Sequence, residues 1–170
     1  MGKRQNRPLA SRCMRNPLND ACAIHVSEVM ALVMQDIKEP TEAVEPITFK
    51  RGLPGLGSSR RFTLHVIEEN PLFYYLQSLE EGDIGLILID PFPCFPEYTL
   101  ELNEPDRKEL EIEQKEDVLV FTTVTVLEEN KMTTNLAAPV VMNTRKRLAK
   151  QVILPERVDE MRVPLPVSDE

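Results

Sequence analysis

The sequence predicts a mainly β, single-domain protein: an antiparallel β-barrel or sandwich of about eight strands with one or two short helices. Three observations carry this. Residues 60–67 (RRFTLHVI) alternate Phe62, Leu64 and Val66 against Arg61, Thr63 and His65, the period of two of a half-buried strand. Residues 116–127 (EDVLVFTTVTVL) are the longest strand-like run, rich in Val and Thr. Strand-like runs follow one another through short turns without helical crossovers, which disfavours a doubly wound sheet. The length of 170 residues favours one domain. A chain of this size buries roughly 70% of its unfolded surface, and 42% apolar residues support a real core.

Residues 1–20 are basic and polar, with Pro8 and Pro17, and predict a flexible tail. Residues 21–37 (ACAIHVSEVMALVMQDI) suit an amphipathic helix or a helix followed by a strand. Residues 38–46 (KEPTEAVEP) are a linker or edge loop. ITFKR (47–51) is strand-like, and GLPGLG (52–57) is a turn-rich loop. FYYLQSL (73–79) is a strand, and EEGD (80–83) is a turn. IGLILI (84–89) is apolar on both faces and suits a strand covered on both sides. PFPCFPEY (91–98) has three prolines and excludes a central strand, while YTLEL (98–102) alternates again. Asn103 is placed to cap a short helix ending about Leu110, with Pro105 in its first turn. EENK (128–131) is a hairpin turn. MTTNLAAPVVMN (132–143) is a strand interrupted near Pro139, RKRLAKQVIL (145–154) opens as a basic turn and closes as a strand, and 155–170 is an extended C-terminal tail.

Charge is unevenly spread. The net charge is −8, but residues 1–40 carry +2 and residues 41–170 carry −10. Such a body repels nucleic acid and attracts a basic partner. The acidity peaks at 97–117, where nine acids face three bases. That stretch is either a solvated surface or a docking surface for a basic protein, and charge alone leaves the two open. Mean hydropathy is −0.26 and no long apolar run occurs, so no membrane span is expected. Three cysteines (Cys13, Cys22, Cys94) without a CxxC spacing suggest thiols in a reducing compartment. No apolar signal-like segment follows the basic start, and a cytoplasmic location is expected.

No constellation for catalysis emerges. His25 and His65 have no Cys, Asp or Glu at metal-ligand spacing. Cys94 has no local base to activate it, and Asp90, followed by Pro91, reads as a turn cap rather than one of an acid/base pair. GLPGLG lacks the GKS or GKT of a phosphate loop. Arg145, Lys146, Arg147 and Lys150 lack interleaved aromatics and read as a solvated turn. No cofactor or metal is implied.

Several stretches together resemble the flagellar assembly factor family FliW. ITFKRGLPGLGSSRRF (47–62), NPLFYYLQSLEEGDIGLILIDPF (70–92) and EDVLVFTTVTVLEENKMTTNLAAPVVMNTRKRLAKQVIL (116–154) follow that family's order and spacing. Leu56, Ala149 and Met161 depart from its usual aromatic, glycine and tyrosine. The resemblance implies a β domain over 30–154, with ALVMQDI as its first strand. Residues 1–29 become a basic, flexible N-terminal extension, or Met30 is the true start. It further implies a cytoplasmic factor that binds the translational regulator CsrA, a small RNA-binding dimer, and relieves its repression of flagellin synthesis. Flagellin itself is the second partner, exchanged with CsrA in a switch that needs no chemistry and no direct nucleic-acid contact. The expected partner-binding residues are Glu97, Glu101, Glu104, Asp106 and Glu109, with Glu156, Asp159 and Glu160 from the tail. Asp90, Pro91, Asn135 and Pro139 are expected to be structural. The alternatives are a chaperone for a secreted flagellar subunit without CsrA binding, and a small β-barrel enzyme using Asp90 and Cys94.

Overall fold

The structure, a computed structural model, describes residues 45–67 and 70–166. The expected N-terminal extension, the ALVMQDI strand, His25, Cys13 and Cys22 lie outside the described residues. Nine strands form: β1 (Ile47–Phe49), β2 (Arg61–Val66), β3 (Phe73–Ser78), β4 (Gly85–Ile89), β5 (Val118–Val126), β6 (Met132–Thr134), β7 (Val140–Asn143), β8 (Leu148–Gln151) and β9 (Val163–Pro164). Two short helices, α1 (Pro91–Cys94) and α2 (Glu104–Glu109), lie between β4 and β5.

Seven strands close a barrel in the order β4-β3-β2-β1-β8-β7-β5, with β5 returning to β4. β5 is long enough to serve three neighbours in turn. Val118–Phe121 pairs with β7, Thr122 and Thr123 pair with β4, and Val124–Val126 pairs with β6. β6 then carries β9 beyond the barrel. Every pairing is antiparallel except β1 with β8, which is parallel, with Thr48 opposite Leu148. The expectation of an antiparallel barrel is thus corrected at one seam. That pair joins residues about a hundred apart, so no turn signals its direction.

The apolar pattern explains three layers. Ile47, Phe49, Phe62, Leu76, Leu88, Phe121, Val140, Met142 and Ala149 form one cluster drawn from all seven barrel strands, so it fills the interior. The opposite faces are covered too. Val118, Val120, Val141, Val152 and Leu154 pack under Phe92, Tyr98, Leu100, Leu110 and Ile112 from the 91–117 segment. Ile67, Phe73, Tyr75 and Ile89 pack with Val124, Met132 and Leu165. This is why 84–89 is apolar on both faces: Leu86 and Leu88 belong to the inner cluster, Ile87 and Ile89 to an outer one. Phe49, Phe62, Phe73 and Phe121 are fully buried, each contributing about 1.5–3 kcal/mol of burial.

Three segments differ from the sequence expectation. YTLEL (98–102) is no strand. Its alternation is real, since Tyr98 and Leu100 are buried and Glu101 is exposed, but the segment lies as a cover over β5, β7 and β8. PFPCFPEY contains helix α1, which tolerates Pro91 at its start. The segment expected as an extended tail is folded over its described part: a 3-10 turn, Pro155–Glu160, leads into β9 and the buried Leu165.

Candidate functional site

The chain leaves the ladder between β6 and β7, and this excursion organises one end of the molecule. Asn135 Oδ1 accepts the Ala137 N–H at 3.0 Å, closing a tight turn before Pro139. The Leu154 N–H donates to Ala137 O at 2.8 Å, and the Val152 N–H donates to Pro139 O at 2.9 Å. The Tyr98 hydroxyl donates to Leu136 O at 3.0 Å, and the Leu136 N–H donates to Glu160 O at 3.0 Å. Leu136 therefore fixes both the 91–117 cover and the 155–160 turn. Asn135 and Pro139 sit at the two ends of this excursion.

On that base lies a groove of about 440 Å³, lined by Phe95, Glu97, Tyr98, Leu136, Arg157, Glu160 and Val163. The Arg157 guanidinium lies 4.8 Å from the centre of the Tyr98 ring and donates to Glu160 Oε2 at 2.7 Å. Burial pushes the Tyr98 hydroxyl up to about 12, partly offset by Arg157, so it stays a neutral donor. The groove brings together Glu97 and Glu160, candidates more than sixty residues apart. Glu156 and Asp159 are exposed on the same turn as Glu160.

The other acidic candidates divide. Asn103 Oδ1 accepts the Asp106 N–H at 2.8 Å and starts α2, with Pro105 in its first turn. Asp106 is buried, and Lys150 Nζ donates to Asp106 Oδ1 at 2.6 Å and to Glu109 Oε2 at 2.7 Å. Arg51 lies 3.0 Å from Glu109, and Lys50 is 3.4 Å from Glu111. Hydrogen bonding raises the Lys150 ammonium above its usual value and lowers Glu109 below its own. These carboxylates are held by bases of the same chain, so the acidic stretch does not present itself as one open surface. Glu101 and Glu104 are exposed, and Glu104 pairs with Lys108 at 3.9 Å.

The basic run reaches the same network: Lys146 lies 4.0 Å from Glu111, and Arg145 lies 3.8 Å from Asp117. Asn143, to which sequence reading gave no role of its own, holds this region together. Its Nδ2 donates to Leu110 O and Glu111 O, while its Oδ1 accepts the N–H groups of Arg145 and Lys146. An Asn at a strand end before a polar turn is a recognisable turn signal.

Asp90 is buried and caps α1 by accepting the Phe92 N–H at 3.1 Å, with Pro91 as the first helical residue. Burial pushes its carboxyl up to about 6. Cys94 ends the same helix and packs on the cluster of Ile67 and Phe73. His65 is paired with Thr63 Oγ1 at 3.0 Å. Among the described residues no group of three or more His, Cys, Asp or Glu is placed to hold a metal. No described helix is long and apolar enough to cross a membrane.

Comparison with known proteins adds a consistent picture. The family model described as FliW protein matches residues 31–165. The flagellar assembly factor FliW of Clostridium tetani is 40% identical over 130 residues, 76% of this chain and 88% of that protein. Its counterpart in Oceanobacillus iheyensis is 39% identical over 109 residues, 64% of this chain and 74% of that one. A crystal structure of the flagellar assembly factor FliW superposes with a TM-score of 0.68 at 33% identity, covering 78% of this chain and 92% of that one.

Proposed function

This chain belongs to the FliW family of flagellar assembly factors, and from that premise we propose that it works in the cytoplasm as a non-enzymatic partner switch. It binds CsrA and so relieves repression of flagellin synthesis. It also binds flagellin, and each partner excludes the other. One observation carries this reading: exposed Glu97 lines a groove beside the turn that exposes Glu156 and Asp159, on a body of strongly negative charge. Such a surface speeds encounter with a basic RNA-binding dimer and disfavours nucleic acid itself. Stable exchange of protein partners needs surfaces rather than a reactive group. The buried polar side chains support this, since Asp90 is a helix cap and Asn143 ties loops to the barrel.

The test is a mixture of the purified chain with purified CsrA at moderate salt, followed by light scattering. A complex of defined stoichiometry is expected. Two proteins that scatter as separate species would sink the reading.

A further inference from the structure

Most of this surface gives a partner little apolar area, with one exception. Ile153, Val158 and Met161 are 64%, 60% and 53% exposed, three of the five large exposed hydrophobics among the described residues. Single exposed hydrophobics are ordinary; three within nine residues beside a groove are not. Val158 lies in the 3-10 turn Pro155–Glu160 and Met161 follows as its capping residue, so both exposed side chains are presented by the same short turn. That turn is held in place by Leu136 and by the Arg157–Tyr98 contact, so its apolar side chains are presented with little ordering left to do.

The charges around them have one predominant sign. Glu97, Glu156 and Asp159 are exposed near the groove and turn, while Glu160 is already paired with Arg157. The nearby bases are Arg157, which lies against Tyr98, and Arg162. The α2 face differs: its buried and half-buried acids, Asp106 and Glu109, are held by Lys150, and Glu109 also by Arg51.

We propose that the turn carrying Val158 and Met161, with the adjoining Tyr98–Arg157 groove, is where the basic partner docks. The occupant is an amphipathic segment that sets an apolar side chain against Val158 and Met161 and Lys or Arg toward Glu156 and Asp159. This deepens the proposed function and rests on it. The apolar contact supplies the residence time, and the acids supply orientation and on-rate. The α2 face is architecture.

The experiment measures affinity for purified CsrA by calorimetry at low and high salt, using the full chain. The pair Val158→Asp and Met161→Asp should weaken binding at least about tenfold at both salt concentrations. The pair Glu156→Lys and Asp159→Lys should weaken it at low salt, with the gap closing as salt screens the charges. Glu113→Lys, in the loop after α2, should change affinity by less than about twofold. All five positions are exposed, so melting temperatures should match the wild type. Unchanged CsrA binding by the Val158/Met161 variant overturns this inference. So does a wild-type dimer that the same variant dissolves, which would give the patch to a second copy of the chain. Loss of flagellin binding with CsrA binding intact overturns it as well. A wild-type protein that binds no CsrA at all instead removes the functional reading on which it rests.

Discussion

Lys150 Nζ stands 2.6 Å from Asp106 Oδ1, tying helix α2 to the barrel wall at β8. The same ammonium reaches Glu109, so one cation satisfies two carboxylates. Both acids are thereby held by a base of their own chain, and the contact should matter for stability. Lys150→Met leaves the buried Asp106 without its base and should cost about 1–2 kcal/mol, less than a fully buried pair because the site is near the surface. The contribution has two pH limits. Lys150 is raised on folding, so its share is complete below the ordinary lysine value and is lost as pH climbs above it. Glu109 is lowered, so its share is complete above the ordinary glutamate value and fades on acidification. Urea unfolding of the two proteins should therefore differ most between about pH 5 and 10.

Asp90 works in the opposite direction. Its folded carboxyl sits at about 6, above the unfolded value, so burying the charge costs stability that appears as pH rises through that range. Asn keeps the cap on the Phe92 N–H without the charge. Asp90→Asn should stabilise by about 1–3 kcal/mol at pH 8, with the gain shrinking toward pH 4. Thermal melts of both proteins across that range check it. A gain that grows on acidification would contradict the assignment.

Gly85 is required by its neighbour. A Cβ there would overlap the Tyr75 ring and hydroxyl, on the paired strand β3. Gly85→Ala should cost about 1–3 kcal/mol as an overpacked contact. The double variant with Tyr75→Leu should recover part of that loss, which a denaturant series of four proteins would show.

Leu165 closes the outer cluster around Phe73 and Met132, and its N–H donates to Met132 O at 2.9 Å. Leu165→Ala should cost about 2–4 kcal/mol. A melting temperature equal to that of the wild type would mean that the C-terminal segment is the loose tail its sequence suggests.

The barrel strands are legible in the sequence because their side chains answer to the period of two. β2 shows it plainly, β4 and β5 are legible as an apolar and a Val- and Thr-rich run, and Asn103 announces its helix by cap chemistry, whereas Asp90 reads only as a turn cap and the short helix after it is not announced. What escapes is decided by residues far apart in the chain. Tyr98, Leu100 and Glu101 alternate like a strand, yet the Tyr98 hydroxyl is answered by Leu136 rather than by a ladder. The 155–166 segment carries three prolines and looks extended, but Glu160 O receives the Leu136 N–H and Val163 pairs with Thr134. The acidic candidates are legible as charge and not as availability. Lys150, with Arg51 beside Glu109 and the burial of Asp106, separates these two acids from the exposed Glu97, Glu156 and Asp159. Val158 carries no signal as a contact residue in the sequence, and Met161 stands out there only as a departure from the family's tyrosine, because a single Val or Met does not show its exposure until the fold is known.

The central claim is an exchange of protein partners, and a competition titration tests it most directly. The chain is first saturated with CsrA, then purified flagellin is added while released CsrA is followed by its binding to a labelled RNA. Flagellin should release CsrA in proportion to the amount added, with RNA binding restored in step. A ternary complex, with CsrA still held away from RNA at saturating flagellin, would contradict the account.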